Sequence, residues 1–179
     1  MSEENKKNPM KDVCIDKITL NIGTGKPGPD LDKAMKLLKT LTGVKPVETK
    51  SYKRIPTWNV RPGLSIGCKV TLRGKKAEEM LNLLFQANDK IISPKKFDNS
   101  GNFSFGIAEY IDIPGTKYDM DLGIIGLEVA VTLKRPGVRV KNRRVRRRKI
   151  PARHRVSKED AINFVSKKYN VKVEEVEQR

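Results

Sequence analysis

Apolar and polar residues alternate most cleanly from Leu64 to Arg73. Leu64, Ile66, Cys68, Val70 and Leu72 fall on one side, and Ser65, Gly67, Lys69, Thr71 and Arg73 on the other. A period of two marks a strand with one apolar and one wet face. Asp12 to Ile22 repeats the pattern, with Ile18, Leu20 and Ile22 opposite Lys17, Thr19 and Asn21. It returns in Asn102 to Ile107, after the turn-forming Asp98-Asn99-Ser100-Gly101, and in Leu127, Val129, Val131 and Leu133. A short strand is predicted from Val47 to Lys50. A helical period appears in Leu31, Ala34, Met35, Leu38 and Leu41, with Asp30 as the expected cap and Gly43 as the stop. Residues 76–89 carry a second such stripe through Ala77, Met80, Leu81, Leu84 and Phe85. A last helix is predicted to open at Ser157-Lys158-Glu159-Asp160, where Asp stands in the place a capping box prefers to give Glu.

The order β-α-β-β-α-β-β predicts an α+β fold, a mostly antiparallel sheet whose helices cover one face. The chain divides into a flexible N-terminus (1–11), an α+β domain (12–133), a basic arm (134–156) and a C-terminal helix and tail (157–179). The uncovered face is polar. Such a face is either the solvated side of an ordinary sheet or a platform for RNA, and Lys17, Lys69 and Arg73 favour the second.

Charge sharpens the picture. Of 179 residues, 38 are Lys or Arg and 21 are Asp or Glu, a formal net charge of +17 that points to phosphate polymers, anionic surfaces or acidic proteins as partners. No run approaches the roughly 18 apolar residues of a membrane span. Residues 1–7 lack the apolar core of a secretory signal, and Cys14 and Cys68 alone make no disulfide framework. A reduced, intracellular, soluble protein is expected.

The strongest single feature is the acid-free run Lys134 to Arg155. It holds Arg135, Arg139, Lys141, Arg143, Arg144, Arg146, Arg147, Arg148, Lys149, Arg153 and Arg155. These cations repel one another until a polyanion neutralises them, and Arg suits bidentate contact with phosphate. Pro136, Gly137 and Pro151 interrupt any membrane-surface helix. A second cluster, Tyr52, Lys53, Arg54, Trp58 and Arg61, interleaves aromatics with cations, as stacking on bases or riboses requires. Trp58 has a competing role as an anchor pinning the loop to the body.

Gly23-Thr24-Gly25-Lys26-Pro27-Gly28 fits the dinucleotide-binding glycine pattern, but Pro27 removes an amide donor and the helical crossovers of a doubly wound sheet are missing. A tight turn and close approach to RNA suit those glycines better. No catalytic constellation, cofactor motif or metal-ligand spacing is present: His154 stands alone among arginines, and Asp119 and Asp121 suit a solvated loop. A free RNA- or DNA-binding module, such as a nucleic-acid chaperone, and an enzyme using the glycine loop are the rival classes.

Four blocks carry a family likeness. Asn21-Ile22-Gly23-Thr24-Gly25, Thr42 to Lys50 (TGVKPVETK), Gly63 to Gly74 (GLSIGCKVTLRG) and Phe97 to Ile107 (FDNSGNFSFGI) closely resemble the universal large-subunit ribosomal protein five family. The stretch from Arg135-Pro136-Gly137 to Glu159 resembles its archaeal and eukaryotic branch. The resemblance implies a non-enzymatic, ribosome-associated cytoplasmic protein whose open sheet face binds 5S ribosomal RNA. Asn21 and Thr71 match family contact positions. Lys17, Thr19, Gly23, Thr49, Gly67, Lys69 and Arg73 lie beside them as candidate contacts. Val44 stands where bacterial members often carry Gln, leaving neighbouring Lys45 to contribute its charge. The loop from Tyr52 to Arg61 resembles the one that reaches peptidyl-site transfer RNA. By the same resemblance the arm reaches large-subunit ribosomal RNA near the central protuberance. The implied protein partners are the other 5S-binding ribosomal protein and a small-subunit head protein across an intersubunit bridge.

Overall fold

A computed structural model of the protein describes residues 8–174. The expected flexible N-terminus lies mostly outside those residues, as does the end of the tail. Asn8 caps a short 3-10 turn at Pro9–Lys11.

Strands β1 (Cys14–Gly23), β2 (Val47–Lys50), β3 (Ser65–Leu72), β5 (Phe103–Ile107) and β6 (Leu127–Lys134) form one sheet, while β4 (Ile91–Ile92) lies apart from it. The order is β2-β3-β1-β6-β5, antiparallel at every pairing. Helices α1 (Pro29–Thr42) and α2 (Lys75–Ala87) bury the apolar side of the sheet. Every apolar position predicted for α2 is buried, while in α1 Met35 and Leu41 are half-buried and Leu37 joins the core. The start of α1 differs from expectation. Gly28, at φ 138°, is the N-cap and Pro29 is the first helical residue, so Asp30 lies inside the first turn. Proline is harmless there, because its missing N–H has no helical partner at that position. Gly43, at φ 65°, ends the helix as predicted.

The chain then crosses a short α3 (Arg139–Asn142) within the arm and enters α4 (Lys158–Tyr169) through a complete capping box. Ser157 Oγ accepts from the Asp160 N–H at 3.2 Å, and Asp160 Oδ2 accepts from the Ser157 N–H at 3.1 Å. Aromatic packing ties α4 to the body. Phe85 of α2 stacks on Phe105 at 5.6 Å and meets the Tyr169 ring edge-on at 5.2 Å. Each such pair contributes about 0.5–1.5 kcal/mol beyond its buried area. Beyond α4, β7 (Lys172–Val173) pairs in parallel with β4. Alternation gives no sign of that pair, since two residues carry no period.

Candidate nucleic-acid interface

Residues opposite one another across paired strands share a face, so the sheet register defines the open surface in rows. One row runs Val47, Lys69, Asn21, Glu128 and Gly106, and the next Thr71, Thr19, Ala130 and Ser104. A third holds Thr49, Gly67 and Gly23, and Lys17 pairs with Thr132 toward the arm. Among the described residues no helix buries this side, as its exposed or half-exposed side chains show. Most are short, so the surface is flat, and it offers hydroxyl and amide groups more than charge.

The sequence-predicted contacts divide under this geometry. Lys69, Thr71 and Lys45 are exposed, and Lys17, Thr19, Asn21 and Thr49 are half-exposed on the same side. Gly67 is buried. A Cβ there would lie 2.6 Å from the Ile22 carbonyl oxygen, so this glycine lets the strands meet. Arg73 turns toward Asp16, 3.3 Å away, which also holds Lys134 at 2.7 Å. Burial raises the Asp16 carboxyl, but the hydrogen bond and charge of Lys134, with Arg73 and Lys17, outweigh it and leave it below its ordinary value. Val44 packs against the core, leaving Lys45 as the polar group of that corner.

Sequence reasoning missed Glu128. Its carboxylate lies in the middle of the face and accepts a hydrogen bond from Asn21 Nδ2 at 3.4 Å. The outward positions of the Leu127–Leu133 alternation were the available signal. An acid there repels phosphate, so the centre of the sheet suits hydrogen-bond donors such as ribose hydroxyls and base amino groups. Phosphate attraction falls to the rim.

The rim has two parts. Residues 51–64 form a small hairpin closed by reciprocal hydrogen bonds between Ile55 and Val60, with a 3-10 turn at Pro56–Trp58 and Asn59 at φ 54°. Val60 is buried and anchors it. Trp58 is 68% exposed and Tyr52 94%, so Trp58 does not pin the loop, and both rings stand free beside Lys53, Arg54 and Arg61. The second part is the arm, where Arg139, Lys141, Arg143, Arg144, Arg146, Arg147, Arg148, Lys149, Arg153 and Arg155 are exposed. Arg135 differs: only 14% of its side chain is exposed, and it bonds Asp160 at 2.7 Å and the Arg153 carbonyl at 3.3 Å.

Other candidate chemistry dissolves. The N–H groups of Thr24 and Gly25 both donate to the Ile66 carbonyl, at 3.0 and 2.9 Å, so the glycine loop offers no free cradle for a pyrophosphate. Asp30 and Asp32 occupy the first turn of α1 and repel an anion. Lys36 neutralises Asp119 at 3.1 Å and Asp121 at 3.7 Å. Burial pushes the Cys68 thiol up to about 11. Among the described residues there is no metal-binding cluster and no helix long and apolar enough to cross a membrane.

The fold is an α+β protein with an open hydrogen-bonding sheet face and cation-rich segments beside it. Residues 8–61 match the family described as ribosomal protein L5, and residues 65–164 match the C-terminal part of the same ribosomal family. The chain is 51% identical to large ribosomal subunit protein uL5 of Sulfurisphaera tokodaii, over 98% of this chain and 99% of that one. It is 52% identical to the protein of that name in Nanoarchaeum equitans, over 92% and 98%. The chain therefore belongs to the ribosomal protein L5 family, in its archaeal branch, a family of structural and non-enzymatic ribosomal components.

Proposed function

We propose that this chain is a structural constituent of the large ribosomal subunit, held in the cytoplasm on the ribosome, that binds 5S ribosomal RNA through the open face of its sheet. The observation carrying this reading is the row Lys69, Asn21 and Glu128 beside the row Thr71, Thr19 and Ser104: mostly hydrogen-bonding groups on an open strand surface, with further cations exposed on the hairpin and the arm. Base and ribose contacts from such a surface fix register, while rim cations neutralise phosphate. The hairpin bearing Tyr52 and Trp58 contacts peptidyl-site transfer RNA by stacking, and the arm lies on large-subunit ribosomal RNA. The other 5S-binding ribosomal protein and a small-subunit head protein complete the set of partners. The names of the relatives support the ribosomal setting.

The test compares binding of the full chain to 5S ribosomal RNA and to an unrelated RNA of equal length across a salt series. Asn21→Ala combined with Thr71→Ala is expected to weaken 5S binding by roughly tenfold more than binding to the control, since both groups offer hydrogen bonds to a buried interface. Equal losses on the two RNAs, or no 5S preference in the unaltered protein at high salt, would sink the reading.

A further inference from the structure

The arm does more than trail across a phosphate surface. It folds back over the ends of β1 and β6 and walls off a cleft of about 880 Å³. Three kinds of group converge there. Lys17, Lys141, Arg147, Arg148, Lys149 and Arg155 bring charge. Val138 and Ile150 bring apolar surface, over the buried Leu133 and Val156. Asn102 and Asn142 bring amides that both donate and accept. Asp16 is the one acid among the lining residues, and it is already engaged by Lys134.

The walls are held by contacts within the chain. His154 Nε2 lies 2.8 Å from the Pro136 carbonyl, the Arg148 N–H donates to the Val140 carbonyl at 3.2 Å, and Arg135 grips Asp160. At the base, Val156 presses so closely on Gly101 that a Cβ there would lie 2.5 Å from its Cγ1. A track for regular phosphate backbone needs only cations along an open surface. Concavity, apolar walls and paired amides add what a flat heterocycle with polar edges requires.

We propose that this cleft receives a single unstacked nucleotide of an RNA strand. Its base lies against Val138 and Ile150, its edge meets Asn102 or Asn142, and its flanking phosphates rest on Arg147, Arg148 and Lys149. The proposal rests on the reading that the chain binds RNA and adds a second, independent recognition point away from the centre of the sheet.

Two RNA hairpins test it, identical except that one carries a single bulged nucleotide replaced by a fluorescent adenine analogue. The full chain is expected to bind the bulged hairpin roughly tenfold more tightly, the scale of one sequestered base, with a change in the analogue's fluorescence. Ile150→Trp, which fills the cleft without altering charge, should bring the affinity ratio close to one and leave the salt slope unchanged. Asn142→Ala, at an exposed position that does not threaten folding, should lower the same ratio. Equal binding of the two hairpins by the unaltered protein, or a ratio untouched by both substitutions, overturns the cleft. Retained 5S preference with no bulge preference removes the cleft alone. Bulge preference without 5S preference removes the sheet reading alone.

Discussion

One carboxylate, Asp160, joins the arm to the body. Its Oδ2 accepts from the Ser157 N–H, closing the capping box of α4, and from Arg135 Nη2, fixing the root of the arm. Asp160→Ala is expected to cost about 0.5–1.5 kcal/mol through the lost hydrogen bond to the Ser157 N–H. It also leaves Arg135 partly buried without its partner, so trypsin should cut the arm faster in the folded protein; unchanged cleavage would show that other contacts hold it. The cap was legible in the sequence because its partners are three residues apart. Arg135 was legible only as one more arm cation, since its partner comes from folding α4 against the strand end. Gly101 makes the companion case. At φ 74° and with Val156 against it, Gly101→Ala should destabilise the fold by about 2–4 kcal/mol, from a left-handed backbone and a core overlap together. Urea unfolding gives the value, and a loss under about 1 kcal/mol would mean that Val156 yields easily.

Among the elements, those with one clean apolar face were legible and those defined by a distant partner were not. The alternations in β1, β3, β5 and β6 carry enough positions to fix both strand and face, and the stripe of α2 is complete in the sequence. Pairing of β4 with β7 depends on where α4 ends against α2, which no local pattern contains. Glu128 sits at an outward position of β6, where the inward apolar residues that define the strand say nothing of what faces solvent. The hairpin at 51–64 was legible as a loop, but the exposure of Trp58 was not, because an anchoring and a projecting tryptophan leave the same letters. Its geometry yields a prediction confined to this element. Trp58→Ala should weaken transfer RNA binding by about 1–3 kcal/mol, the range for removing one stacking partner, and leave affinity for 5S ribosomal RNA unchanged. A matching loss on both RNAs would mean that the ring supports the fold or the sheet face instead.

Across the whole molecule, short hydrogen-bonding groups predominate on the sheet face, with Lys69 and Glu128 among them, while the densest runs of cations lie on the hairpin and the arm. On the proposed reading, specificity and salt dependence are therefore separable properties. Asp16 and Asp160 brace the arm side of that arrangement. Both carboxyls are desolvated, yet their hydrogen bonds and neighbouring cations hold them below the ordinary value of 3.8. Folded-state values lowered in this way contribute stability that is present above the unfolded value and lost as pH falls through the folded one. Thermal midpoints should therefore drop as pH falls below about 4, and more steeply than in a variant carrying Asp160→Asn. The rim makes the complementary claim at neutral pH. Arg139, Arg144 and Arg153 are exposed and lie outside the cleft, so in the proposed RNA complex they are expected to act by displacing counterions. Replacing all three by Gln should flatten the log–log salt dependence of RNA binding by about 2.7, at roughly 0.9 for each duplex phosphate no longer neutralised. The preference for 5S over control RNA and the bulge preference should both survive. If either preference falls with the slope, the arm takes part in recognition beyond its charge, and the division between a reading surface and a holding rim must be redrawn.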